Sequence, residues 1–280
     1  MDISAYPLQE PFSVNAQAYH DACMAKGAAA LADPRLREAG YGPDPYRRLA
    51  IWPAAKPDGR VLAFIHGGGW TNGYKEWMAF MAPTFTAAGV TFASIGYRLA
   101  PGHLFPTGLD DVIDGLATLM ALAPEVGGDP RRTFIGGHSA GGHYAALVAV
   151  DPDRRRRAGL PDGQLAGCLP ISGVYRFGDG SGLSMRPRFL GPEGNGADLA
   201  ASPVSQVTPT PPPFLIAFGT EDFPHLIPQA HEMAATLTAA GGAVEVVEMA
   251  GRTHFTASYA GGEADGPWVQ RALAFMAARS

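Results

Sequence analysis

RTFIGGHSAGGHYAALVAV (residues 132–150) joins a short apolar run to an alanine-rich one through a turn in which four glycines surround a single serine. Residues 132–137 read as a buried strand, and residues 140–150 read as a helix. Between them stands Gly137-His138-Ser139-Ala140-Gly141, a G-x-S-x-G pattern. With 36 glycines in 280 residues the pattern alone says little, since roughly 0.2 matches arise by chance. The strand before it and the helix after it supply the setting that a nucleophile elbow requires. A strand-to-helix turn this tight crowds the residues two before and two after the serine, and Gly137 and Gly141 remove the clash. The Ser139 hydroxyl then stands clear of the sheet edge, and the Ala140 amide opens a helix whose N-terminus favours negative charge.

Working outward, VLAFIH (61–66), VTFASIGY (90–97), LAGCLPIS (165–172), FLIAFG (214–219) and AVEVVEM (243–249) read as further strands. Helical spacing of bulky apolar residues runs over 75–89, 109–123 and 226–241 and closes the chain around WVQRALAFMAA. Strands alternating with helices imply an α/β fold with a mainly parallel sheet covered on both faces. No repeat or linker divides residues 1–280, which predicts a single domain. Two stretches lack the rhythm, residues 1–45 and 176–213. Loops of that length are expected to act as cap segments over the C-terminal sheet edge, where open α/β folds bind ligands.

A formal net charge of −5 argues against a nucleic-acid partner, and the basic run Arg154–Arg157 reads as a solvated loop. Cys23 and Cys168 are too few for a disulfide framework and wrongly spaced for zinc. His20, His103, His225 and His231 form no metal-ligand pattern, so neither metal nor other cofactor is expected. The N-terminal residues lack the basic and apolar regions of a secretory signal, and no apolar run approaches the ~18 residues of a membrane span. The expectation is a cytoplasmic protein with a small-molecule ester or amide substrate and no membrane partner; whether it forms a homodimer is left open.

A serine hydroxyl needs a base to take its proton and a carboxylate to orient that base. His254 follows the strand 243–249, and Asp222, with Glu221 beside it, follows the strand 214–219. Either carboxylate could reach the His254 ring; Asp222, three residues after Gly219, is the preferred one. The order Ser, acid, His is that of α/β-hydrolases. HGGGW (66–70) follows the first buried strand, and Gly68 and Gly69 can bring their N–H groups close to an oxyanion alongside Ala140. His66 reads as a loop-fixing residue, His138 as part of the pocket floor and His143 as packing on the elbow helix. Trp70, Phe105 and Tyr175 follow motif loops and are candidates for an aromatic pocket wall.

HGGGW, GYRLAPGHLFP (96–106), GHSAGGH, ISGVY (171–175), FGTED and GRTHF, in that order, resemble the esterases and lipases related to hormone-sensitive lipase, and within them the kynurenine formamidase (arylformamidase) branch. The resemblance runs from about residue 41 to the C-terminus. It implies an α/β-hydrolase fold, a Ser139–Asp222–His254 triad and an oxyanion hole from the glycine loop plus Ala140. Gly96 and Gly102 replace the carboxylates of the commoner D-Y-R-L-A-P-E pattern, so Arg98 lacks the partners it has in those relatives. The expected activity is a serine hydrolase cleaving a small carboxylic ester or an aryl formamide through an acyl-enzyme. A short-chain carboxylesterase without formamide preference is the alternative; a non-catalytic ligand-binding protein on the same scaffold is disfavoured by the intact set.

Overall fold

Strands β1 (Arg37–Gly40), β2 (Arg48–Trp52), β3 (Gly59–Ile65), β4 (Thr91–Ile95), β5 (Gly128–His138), β6 (Leu165–Ile171), β7 (Phe214–Glu221) and β8 (Val244–Thr253) form one sheet in the order β1-β2-β4-β3-β5-β6-β7-β8. This computed structural model describes residues 3–160, 163 and 165–279. The six strands from β3 to β8 pair in parallel, and β1 and β2 add an antiparallel edge. Val61–Ile65 and Thr91–Ile95 are buried throughout, as strands covered on both faces must be.

Alternate side chains of β3 enter opposite cores: Val61, Ala63 and Ile65 on one side, Leu62 and Phe64 on the other. Helices α3 (Thr107–Leu122), α4 (Ala140–Val150) and α8 (Leu226–Ala239) close the first core. The second is closed by α1 (Val14–Leu31), α2 (Ala82–Ala87) and α10 (Pro267–Ala277). The short helices α5 (Pro152–Arg157), α6 (Ala197–Ala201), α7 (Pro203–Gln206) and α9 (His254–Tyr259) complete the set among the described residues. None of these helices is long and apolar enough to cross a membrane.

Strand order reverses beside β3, whose neighbours are β4 and β5. The register Ile65↔Gly137 sets the C-terminal ends of β3 and β5 side by side, so the glycine loop and the elbow face one crevice. That is the switch point at which α/β sheets bind ligands.

Four departures from the sequence reading have physical causes. Residues 14–31 form an 18-residue helix inside a stretch expected to be irregular; its small residues carry no sharp apolar stripe, and packing on residues 75–81 stabilises it. The helix expected over 75–89 is a 3₁₀ segment, Lys75–Met81, followed by α2. Pro83 lacks an N–H and is tolerated in the first turn of a new helix, not within a continuous one. Arg154–Arg157 are helical, with Asp151 accepting from the Arg154 N–H as cap and Arg155 buried against the Ala149 carbonyl at 2.7 Å. Finally, β1 and β2 were unread because β1 is only four residues long and mostly exposed.

Candidate active site

Ser139 occupies φ 55°, ψ −119°, a conformation that costs a side chain energy. The turn is held by the Ser139 N–H donating to the Ile171 carbonyl at 3.0 Å and by the His143 N–H donating to the Ser139 carbonyl at 2.9 Å. A Cβ at Gly137 would lie 2.3 Å from the Gly141 carbonyl, and one at Gly141 would lie 2.1 Å from the Ile65 carbonyl oxygen. Neither glycine can be replaced without opening the turn.

β8 ends at Thr253, and His254 begins α9 behind a capping box between Thr253 and Thr256 that fixes its backbone. Its Nε2 lies 2.9 Å from Ser139 Oγ and its Nδ1 lies 2.7 Å from Asp222 Oδ1. Asp222, not the exposed Glu221, is the carboxylate on the imidazole. It also accepts from Ser172 Oγ and, at 2.7 Å, from the Phe223 N–H. Burial pushes this carboxyl up, but the bonds from His254, Ser172 and Phe223 outweigh it and hold the group below its ordinary range. The ionised Asp222 therefore keeps the Nδ1–H tautomer of His254, leaving Nε2 free to take the Ser139 proton.

Behind the base, His138 Nε2–H donates to the His254 carbonyl at 2.9 Å, and its Nδ1 faces the Tyr19 hydroxyl at 3.4 Å. Tyr19 comes from α1 and reaches Ser258 at 2.9 Å. Burial, then the neighbouring His254, pushes His138 down to about 3, so its ring is neutral. His143 is likewise pushed down to about 3 by burial, accepting from Trp70 Nε1 at 3.0 Å and donating to the Ala201 carbonyl at 2.7 Å. His66 is pushed down to about 4 by burial, stacks on Tyr97 at 4.3 Å and bonds the Gly67 carbonyl at 2.7 Å, fixing the loop that follows.

That loop places Gly68 and Gly69, both at positive φ, on the wall of a cavity of about 190 Å³ with Ser139 and His254 on its floor. Nothing lies within 4 Å of the Gly69 Cβ position, whereas Gly68 packs on the Asn72 carbonyl. Among the described residues no hydrogen bond uses the Gly69 or Ala140 N–H groups. The remaining walls are Ala16, Tyr19, Asn72, Trp77, His138, Phe223 and Phe255. Phe223 stacks on the His254 ring at 4.3 Å.

His138 thus meets the cavity, but Trp70, Phe105 and Tyr175 do not. Trp70 turns into the core at φ 63°, stacks on Phe189 at 4.5 Å and bonds His143. Phe105 meets Phe189 edge-on at 5.7 Å, and Tyr175 is wholly buried. Adjacency to a motif does not say which side of the sheet edge a ring faces. The wall residues Phe223 and Phe255 had a readable signal, since they directly follow Asp222 and His254; Tyr19 had none. Ser172 stood unread within ISGVY. Arg98, for its part, is not left unpaired: Asp111 on α3 binds it through Nε and Nη2, both at 2.8 Å.

The description "alpha/beta hydrolase fold" belongs to the family that matches residues 62–258. The chain belongs to the α/β-hydrolase family. This α/β-hydrolase is 31% identical over 237 residues to the esterase LipC of Mycobacterium tuberculosis, taking in 76% of this chain and 58% of LipC. It is 25% identical over 243 residues to a probable isoprenylcysteine alpha-carbonyl methylesterase, ICME, of Oryza sativa subsp. japonica, over 78% of this chain and 58% of that one. The hydrolase therefore spans a little over half the length of these curated relatives. The hyperthermophilic esterase of Pyrobaculum calidifontis shares the fold at a TM-score of 0.76 and 20% identity, over 94% of this chain and 93% of that one.

Proposed function

We propose that this α/β-hydrolase is a serine carboxylesterase for small, uncharged esters, with Ser139 as nucleophile, His254 as base and Asp222 as its orienting acid. The observation that carries the reading is the hydrogen-bonded line Ser139–His254–Asp222, at 2.9 and 2.7 Å, opening on a cavity faced by the glycine loop. Ser139 Oγ attacks the ester carbonyl as its proton passes to His254 Nε2. The carbonyl oxygen becomes an oxyanion met by the N–H groups of Gly68, Gly69 and Ala140. Collapse breaks the bond to the leaving group, which takes the proton from His254 and departs as an alcohol. Water, deprotonated by the same imidazole, then releases the acid from the acyl-enzyme.

Among the described residues no Lys, Arg, Asp or Glu side chain lines the cavity, which favours a neutral substrate. Four aromatic rings do line it, Tyr19, Trp77, Phe223 and Phe255, and this supports aryl formamides as a second substrate class. A serine-reactive fluorophosphonate probe separates an enzyme from a binding protein: labelling at Ser139 is expected, and no labelling would sink the reading. Comparing kcat/KM for N-formyl aryl amides with that for acetyl and butyryl aryl esters then ranks the two classes.

A further inference from the structure

The segment ahead of α1 is bonded to the glycine loop. Gln9 Nε2 donates to the Gly73 carbonyl at 2.9 Å, and Gln9 Oε1 accepts from the Gly73 N–H at 2.9 Å. The same Nε2 reaches the Tyr46 hydroxyl at 2.8 Å, so the amide is itself held in place. One residue along, Asn72 Nδ2 donates to the Glu10 carbonyl at 2.7 Å, while the Glu10 carboxylate pairs with Arg188 of the 176–213 segment.

These bonds act on a closed turn. The Gly68 carbonyl accepts from the N–H groups of Thr71 at 3.2 Å and Asn72 at 3.0 Å. Gly73, at φ 113°, packs so tightly that a Cβ there would lie 2.4 Å from His66 Nδ1 and 2.6 Å from the Gly67 oxygen. Residue 73 thus abuts the backbone immediately ahead of Gly68 and Gly69. Trp70 anchors the middle of the turn in the core, its carbonyl accepting from the Ala100 N–H at 2.9 Å. At the far end, Gln9 takes both hydrogen-bonding groups of Gly73.

We propose that Gln9 is a positioning residue: by gripping both backbone groups of Gly73 it sets the glycine loop so that its N–H groups meet the developing oxyanion. The proposal rests on the ester-hydrolysis reading. Gln9 touches neither substrate nor Ser139, and its effect passes through Gly73, His66 and Gly67. Transition-state donors work only when held in place before the reaction begins. Loosening the loop therefore weakens transition-state binding more than ground-state binding.

The test compares wild type with Gln9→Met, similar in size but unable to bond Gly73, and with Gln9→Glu, which keeps only the acceptor. Each is assayed for kcat, KM, melting temperature and affinity for an aryl trifluoromethyl ketone, whose adduct with serine carries the oxyanion. Gln9→Met is expected to lower kcat about 10- to 100-fold with KM within about two-fold. The ketone should bind more weakly by a similar factor, with Gln9→Glu intermediate and Tm within about 3 °C of wild type. Wild-type kcat and ketone affinity in Gln9→Met, or a loss confined to KM, overturns the proposal. Absence of ester turnover in wild type overturns instead the reading on which it rests.

Discussion

His138 Nε2–H donates to the main-chain carbonyl of His254 at 2.9 Å, so the residue before Ser139 supports the proposed base from behind. Only a neutral ring in that tautomer leaves Nδ1 as an acceptor for Tyr19. Replacing His138 with Phe removes the donor and leaves the His254 carbonyl with only its helical bond in α9, a cost of about 0.5–1.5 kcal/mol. We expect kcat to fall about ten-fold through misplacement of His254, with Gln at the same position recovering part of the loss. Equal kcat in the Phe and Gln variants would remove His138 from this role.

The same ring, with His66 and His143, sets an acid limit on stability. In the unfolded chain all three take up a proton near pH 6.5, whereas in the fold burial holds them down to about 3, 4 and 3 for His138, His66 and His143. Between those limits the unfolded state binds more protons, so stability is fully present above about pH 6.5 and is lost as pH falls through the window. Each contributes up to about 1.4 kcal/mol per pH unit, about 4 for the three together. Urea unfolding midpoints should drop steeply between pH 6 and pH 4.5, and less steeply in His138→Gln. A midpoint constant across that range contradicts the account.

Ser139→Ala should abolish fluorophosphonate labelling and lower kcat by about 10⁴- to 10⁶-fold. Ser139→Gly should do the same while raising stability, because only glycine occupies φ 55°, ψ −119° without cost. The relief is about 1 kcal/mol, or about 2–4 °C in Tm. Melting curves of the two variants check it: Ser139→Gly below Ser139→Ala would mean that the elbow stores no strain.

Asp222→Asn should cost about 10⁴ in kcat, because an amide no longer enforces the Nδ1–H tautomer of His254. Glu221→Gln, exposed at the end of β7, should change kcat by less than about two-fold. Steady-state kinetics on one aryl ester decides the ranking, and the reverse order would hand the acid's role to Glu221.

A cavity of about 190 Å³ walled by Tyr19, Trp77 and Phe255 sets a limit on the acyl chain. Across aryl esters of rising acyl length, kcat/KM should decline steeply beyond about four carbons, since methylenes that cannot enter forfeit ~0.8 kcal/mol each. Phe223→Ala, at the exposed rim over His254, should flatten that decline without unfolding the protein. A profile that is already flat to ten carbons in wild type would place the acyl group in a different groove.

The tight turn around Ser139 and the strand-end places of Asp222 and His254 were readable because each rests on a local rule. Glycines must flank Ser139 where the backbone itself would collide, and catalytic groups on a parallel sheet must sit at strand ends. The choice of Asp222 over Glu221 needed coordinates, since both follow the same strand and only the turn closed by the Asp222 N–H on the Gly219 carbonyl aims one of them at His254. The cavity wall was not readable. Tyr19 reaches the site from a helix more than a hundred residues earlier, and Trp70 beside the glycines turns away because its backbone takes a positive φ. Asp111, the partner of Arg98, lies thirteen residues on, on a helix face that apolar periodicity marked only as core.

All four tryptophans are buried, yet Trp77 is the one among them that faces the cavity; Trp52, Trp70 and Trp268 lie in the cores on either side of the sheet. Three indoles therefore emit from surroundings that a bound molecule does not touch. The fourth, though 1% exposed, borders the cavity, so an occupant there changes its immediate surroundings. Its intrinsic fluorescence is a built-in optical reporter of occupancy, able to follow binding to an inactive Ser139→Ala protein without any label or turnover.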